Sequence, residues 1–219
     1  MPGRVKTRLA SLLGTEGCAR FQAACLLDVI GAAIQLSPRV TFFGEPVDLA
    51  RDFTREHRLP LRVSTQGEGD LGARIARGFA DLFAAPEVDA ALIVGSDSPD
   101  LPREHWLAAA AALRSADMVL GPTEDGGYYL VGLRRAHWMN ERSAFDRLFS
   151  EVRWSSRNTC ESQRARAESL GCGVAAIATW CDVDTPADLA RLRRRLRGNG
   201  ELSAGAATRE FVLDFFGEF

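Results

Sequence analysis

From Thr15 to Ile34 apolar side chains recur at helical spacing (Phe21, Ala24, Cys25, Leu26, Val29), which predicts one long helix. Beyond it the pattern alternates between strand and helix. Arg39–Phe43 predicts a strand, Val47–His57 a helix, Leu59–Thr65 a second strand and Leu71–Phe83 another helix. Ala90–Val94 is apolar throughout, as expected of a strand buried on both faces. A helix over Arg103–Arg114 follows, opened by Pro102. Asp117–Gly121 and Tyr128–Leu133 predict strands around the turn-rich "PTEDGG". A helical region from Asn158 to Leu170, the strand "GVAAIA" and a helix over Pro186–Arg197 complete the series. "GNGELSAGAA" reads as a linker and "TREFVLDFF" as a short amphipathic docking helix. The expected organisation is one α/β domain over residues 1–197, followed by linker and docking helix over 198–219. Repeated strand–helix units imply a three-layer αβα sandwich around a mostly parallel, mixed sheet.

In such sheets ligands bind outside the carboxyl ends of the strands. That rule selects "GSDSPD", "GPTEDGG" and "WCDVDTP", which place Asp97, Asp125, and Asp182 with Asp184 at one edge. Helix capping accounts for some of these acids. Ser98 or Asp100 suits the start of the helix near Pro102, and Thr185 or Asp184 as cap, with Pro186 at the first helical position and Asp188 in the first turn, suits the next helix start. Asp97 and one of Asp182 and Asp184 are left without a structural task, and a hard divalent cation bridging phosphates needs one or two such carboxylates.

Charge and composition narrow the classes. With a net charge of −2 over 219 residues there is no basic excess, which argues against a sequence-independent grip on nucleic acid. Only one of the 27 basic residues is a lysine, Lys6, in the opening stretch "MPGRVKTRLA". A compact ammonium rather than a planar fork is therefore expected to matter there. The five cysteines form no C-x-x-C pair, as in a chain kept in a reducing compartment, and the expected setting is the cytoplasm. No apolar run reads as a membrane span of ~20 residues, and no signal-peptide core is present. The three histidines show no zinc-ligand spacing, and G-x-S-x-G is absent. Gly67, Gly69 and Gly72 fit the dinucleotide fingerprint G-x-G-x-x-G. Glu68 and Asp70, however, put carboxylates in the loop that would cradle a pyrophosphate, and the motif follows the second strand rather than the first.

Taken in order, "PGRVKTRLA", "GDLGARI", "GSDSPDLP", "VLGPTEDGGYYLVGL", "W-S-S-x-x-T" and "DVDTPADL" resemble a bacterial family of GT-A-type transferases, a domain of unknown function. The family is related to the molybdenum-cofactor and phospholactate guanylyltransferases, and the resemblance runs from Pro2 to about Arg197. It implies a nucleotide-diphospho-sugar transferase fold using Mg²⁺ or Mn²⁺, a nucleotide or nucleotide-sugar substrate and a small-molecule acceptor. By motif, Lys6 and Arg8 would hold phosphates, Asp97 and Asp184 the metal, and Gly69, Asp70 and Gly72 the nucleoside. Gly126, Gly127 and Tyr128 would face the sugar or acceptor, Asp125 with Glu124 behind it would be the base, and Trp154–Thr159 would be a mobile loop. Glycosyl transfer, nucleotidyl transfer and a non-catalytic nucleotide-binding role all remain open at this point. Family members carry a strand ahead of the "PGRVKTRL" loop that is missing here. Its neighbours should then be left with unpaired N–H and C=O groups, and the expectation is a start assigned too late, with an apolar strand of about five residues encoded upstream.

Overall fold

The computed structural model describes residues 3, 5–140, 145, 147–197 and 205–217. The chain divides into two compact units. One comprises Met1–Pro38, Gly95–Glu104 and Trp180–Phe219, the other Arg39–Val94 and His105–Thr179. Most of the expected linker, residues 198–204, lies outside the described residues.

The second unit holds all the strands found among the described residues. β1 (Thr41–Gly44) and β2 (Arg62–Thr65) pair in parallel, joined by helix α2 (Val47–Glu56). After α3 (Leu71–Leu82) come β3 (Ala90–Val94), α4 (Arg103–Ala112), β4 (Met118–Pro122) and β5 (Tyr128–Arg134). Helices α5 (Arg135–Asn140) and α6 (Thr159–Ser169) precede β6 (Val174–Ala176). The larger sheet has the order β3-β5-β4-β6. It is mixed: β4 and β6 are parallel, while β5 runs antiparallel to both neighbours. The reason is local, because the turn between β4 and β5 is too short for the crossover that a parallel pair requires.

Alternation along the strands divides this sheet's side chains between two faces. Met118, Leu120, Val131 and Leu133 point to one side, with Phe79 and Phe83 from the α3 region, Trp138 of α5 and Ala167 of α6. On the other side, Leu92 and Val119 meet Leu113, at the end of α4, around Gly132. Helix, sheet and helix therefore form the three layers. The residues after β5 carry no helical signal in the sequence reading, yet α5 forms there, anchored by the fully buried Trp138.

β3 departs from expectation. Its residues are exposed or half-buried, whereas nearly all of β4 and β5 is buried. β3 pairs only with β5 and β1 only with β2, so among the described residues each has one edge without a strand partner. α3 spans the two: Gly78 lies close to both Ile93 of β3 and Phe43 of β1. An apolar sequence marks β3 for a central place, and its open edge keeps it partly wet.

In the first unit a short 3₁₀ turn, Thr7–Leu9, leads into α1 (Ala10–Leu36). Gly14 breaks the helical path with φ 69°, so the regular helix starts at Thr15, where the periodicity starts. Leu13, Phe21 and Cys25 pack with Leu189, Leu192 and Leu196 of α7 (Pro186–Arg197) and with Phe211 and Val212 of α8 (Ala206–Phe216). The Asp28 carboxylate accepts from the N–H groups of Ala207 (2.9 Å) and Thr208 (2.8 Å), capping α8. By length and composition alone, Thr7–Leu36 could cross a membrane, which the sequence reading did not register. In this unit it serves as a core helix.

Candidate functional site

Three segments of the first unit converge on Lys6. Its Nζ lies 2.6 Å from Asp97 Oδ1 and 2.9 Å from Asp184 Oδ1. Lys6 takes a left-handed backbone (φ 49°, ψ 38°), and its carbonyl accepts from the Leu9 N–H (2.8 Å) and the Cys18 thiol (3.3 Å). The loop carrying Asp97 is tied to the one carrying Asp184, since the Val183 N–H donates to the Asp97 carbonyl at 2.9 Å. Asp184 itself precedes a capping box. Asp188 Oδ2 accepts from the Thr185 N–H (2.8 Å) and from the Asp184 N–H (3.2 Å), while Thr185 Oγ1 accepts from the Asp188 N–H (3.3 Å).

The neighbouring acids are occupied elsewhere. Ser98 Oγ donates to Asp182 at 2.7 Å, and the Asp100 carboxylate, buried, takes both Nε and Nη2 of Arg195. Asp97 and Asp184 are thus the two that face a shared cation. Burial alone would lower the pKa of Lys6, but its two carboxylates outweigh that and raise it, so the ammonium is retained. The Lys6 side chain is 3% exposed, against 41% and 43% for those of Asp97 and Asp184. The carboxylates therefore keep an open side. Two hard oxygen donors already converging on one cation fit Mg²⁺ or Mn²⁺, with the remaining positions left to phosphate and water. Among the described residues no group of three or more His, Cys, Asp or Glu could hold a metal alone. Arg8, two residues on, is exposed.

The other candidates lie in the second unit. Asp125 Oδ1 accepts from Thr123 Oγ1 (2.5 Å) and the Gly127 N–H (3.1 Å), which closes the turn between β4 and β5. Glu124 is exposed beside it. Gly126 has φ 91°, and a Cβ there would stand 1.9 Å from the Arg157 carbonyl oxygen. Its own carbonyl accepts from the Cys160 N–H at 2.9 Å. The segment expected to be mobile is thereby tied to this turn, and Thr159 Oγ1 also donates back to the Arg153 carbonyl at 2.8 Å. Trp154 packs edge-on to Tyr128, and a Cβ on Gly72 would come within 2.8 Å of its ring. So Trp154 unites three motifs that are far apart in sequence: "GDLG", "EDGGYY" and "W-S-S-x-x-T". Tyr128 Oη is buried without a hydrogen-bond partner among the described residues, and burial pushes its pKa up.

In "QGEGDLG", Asp70 is the N-cap of α3, accepting from the Ala73 N–H at 2.8 Å. Gly69 has φ 105°, and its carbonyl accepts from Arg74 Nε (3.1 Å), while Arg77 binds the carbonyls of Gln66 and Glu68. The loop presents carbonyls to arginines, and its Asp70 carboxylate serves as a helix cap. The sequence reading did not find the Asp100–Arg195 pair, the Ser98–Asp182 bond or the buried His105 Nδ1···Tyr129 Oη contact of 2.7 Å. No local signal marks partners so far apart.

Solved structures resemble this chain over most of its length. A "putative nucleotide-diphospho-sugar transferase" from Desulfovibrio desulfuricans G20 superposes with a TM-score of 0.82 at 26% identity, over 98% of this chain and 93% of that one. The 4-diphosphocytidyl-2C-methyl-D-erythritol synthase of Anaerococcus prevotii DSM 20548 shares the fold, with a TM-score of 0.59 at 13% identity, over 81% of this chain and 89% of that one. No curated protein matches. The fold is that of the nucleotide-diphospho-sugar transferases, and residues 26–156 match the model of the family described as "Uncharacterized protein conserved in bacteria (DUF2064)", to which this chain belongs.

Proposed function

We propose that the protein is a metal-dependent transferase of the nucleotide-diphospho-sugar superfamily, most simply a glycosyltransferase with a nucleotide-sugar donor and a small-molecule acceptor. The observation that carries this reading is the convergence of Asp97 and Asp184, both half-open to solvent, on one buried cation. The likeness to the Desulfovibrio transferase supports it. Asp97 and Asp184 hold Mg²⁺ or Mn²⁺, which when bound offsets negative charge developing on phosphate oxygens. Lys6 and Arg8 hold the phosphates themselves. Gly69, Asp70 and Gly72 border the nucleoside, and Gly126, Gly127 and Tyr128 the sugar or acceptor, where the Tyr128 hydroxyl, without a partner among the described residues, has a hydrogen bond to give. Asp125, its carboxylate fixed by Thr123 and Gly127, is the proton acceptor, with Glu124 next to it. None of the five cysteines is joined in a disulfide, and the compartment we assign is the reducing cytoplasm.

The deciding experiment incubates the protein with Mg²⁺ or Mn²⁺ and a panel of nucleoside triphosphates and nucleotide-sugars. Release of nucleoside diphosphate from a nucleotide-sugar is the expected result. Pyrophosphate release would make it a nucleotidylyltransferase, and tight binding without turnover a binding protein. In calorimetry, Asp97→Asn should sharply weaken metal-dependent nucleotide affinity. Unchanged affinity would remove Asp97 from the metal site.

A further inference from the structure

We propose that the Lys6 ammonium is a built-in counter-cation that competes with the divalent metal ion for the Asp97–Asp184 pair, so that metal enters as the ammonium leaves. The inference rests on the reading of these two acids as the metal's ligands. It concerns what holds them together beforehand.

The geometry carries it. Nζ is 2.6 and 2.9 Å from the Oδ1 atoms of the two carboxylates, so one ammonium contacts both of the acids that would hold a metal. A divalent ion coordinated by the same oxygens would have to sit beside that ammonium, like charge against like charge, in a place where the Lys6 side chain is 3% exposed. Of the two cations, only one can have these oxygens to itself. The Lys6 backbone is not free to follow, because its carbonyl is held by both the Leu9 N–H and the Cys18 thiol. What can move is the four-carbon stem. With a metal ion alone, the displaced ammonium has no new partner. When the metal arrives with phosphate, the ammonium exchanges two carboxylates for a phosphate oxygen, and metal and nucleotide bind cooperatively. The chain's single lysine stands here among its 26 arginines; a compact ammonium on a flexible stem can change partners in this way more readily than a planar fork held at both carboxylates.

The test uses Mn²⁺ alone, followed by electron paramagnetic resonance on the full chain without nucleotide. Lys6→Met should bind Mn²⁺ at least about tenfold more tightly than wild type, and adding Asp97→Asn to it should abolish the gain. A second measurement needs no variant at position 6. An amine-reactive ester can label only Lys6 and the N-terminus, resolved by peptide mapping, and the Lys6 rate should rise with Mn²⁺ in wild type and stay flat in Asp97→Asn. Equal or weaker Mn²⁺ binding by a folded Lys6→Met, or a Lys6 labelling rate that Mn²⁺ leaves unchanged, overturns the competition. If wild type still binds nucleotide with metal in that case, the proposed function stands without it. If wild type binds neither Mn²⁺ nor nucleotide, both fall.

Discussion

The two units of this chain are held together by different physics. In the second, the interior is a layer of apolar side chains from β4 and β5 packed against Phe79, Phe83 and Trp138. In the first, an apolar helix cluster is bordered by polar links that join distant segments: Lys6 to Asp97 and Asp184, Arg195 to Asp100, Ser98 to Asp182, Asp28 to the start of α8. Burial of apolar surface is indifferent to what binds nearby, whereas ion pairs respond to every charge that arrives. Under the proposed function, the ion pairs of the first unit at Lys6 are the ones a charged ligand would meet.

The contrast can be broken by substitution. Leu120→Ala, 1% exposed in the middle of β4, should cost about 2–5 kcal/mol in denaturant unfolding. Arg195→Met should come next. It strands the buried Asp100 carboxylate, and because the Arg195 side chain is 28% exposed the expected loss is about 2–3 kcal/mol rather than the full cost of breaking a buried pair. Pairing it with Asp100→Leu should restore most of that. If the double variant is no better than the single, the ion pair is not what Arg195 supplies. Asp28→Ala leaves the Ala207 and Thr208 N–H groups without their acceptor and should cost about 1 kcal/mol, with α8 amides exchanging faster by hydrogen exchange.

The smallest effect sharpens the comparison from the other side. Asp117, in the apolar unit, has its pKa lowered. Burial works against this, but Arg134, the Gly173 N–H and His137 outweigh it. A carboxylate with a depressed pKa contributes stability above its unfolded value and loses it as pH falls. Asp117→Asn should therefore cost about 0.5–1 kcal/mol at neutral pH, and the cost should shrink as pH falls through the lowered pKa of folded Asp117. A pH-independent difference would show that Asp117 acts through shape rather than charge.

Much of this was legible where it is local. The Thr15 start of the regular helix, the strands and the Thr185–Asp188 capping box follow from spacing within a few residues. Lys6, Asp97 and Asp184 were each singled out by motif, but the ion pairs that bring Lys6 onto both acids were not foreseen. What was not legible depends on distant partners. The apolar run of β3 looks central, but among the described strands β3 pairs with β5 alone, which no residue of β3 encodes. In "RLRRRLR" the period shows which leucines turn inward. It cannot show that Arg193 lies over the Phe216 ring and Arg195 takes Asp100. Those assignments come from segments that meet only in the fold.

The contact between Gly126 and the Arg157 carbonyl has a use outside this molecule. With room for no side chain at all, position 126 becomes a marker that can be read in genomes. A relative with alanine or anything larger there cannot keep its equivalent of residues 153–159 in this place. One letter thus sorts the relatives whose Trp154 equivalent can stand as it does here from those in which that segment has been rebuilt, before any of their structures is known.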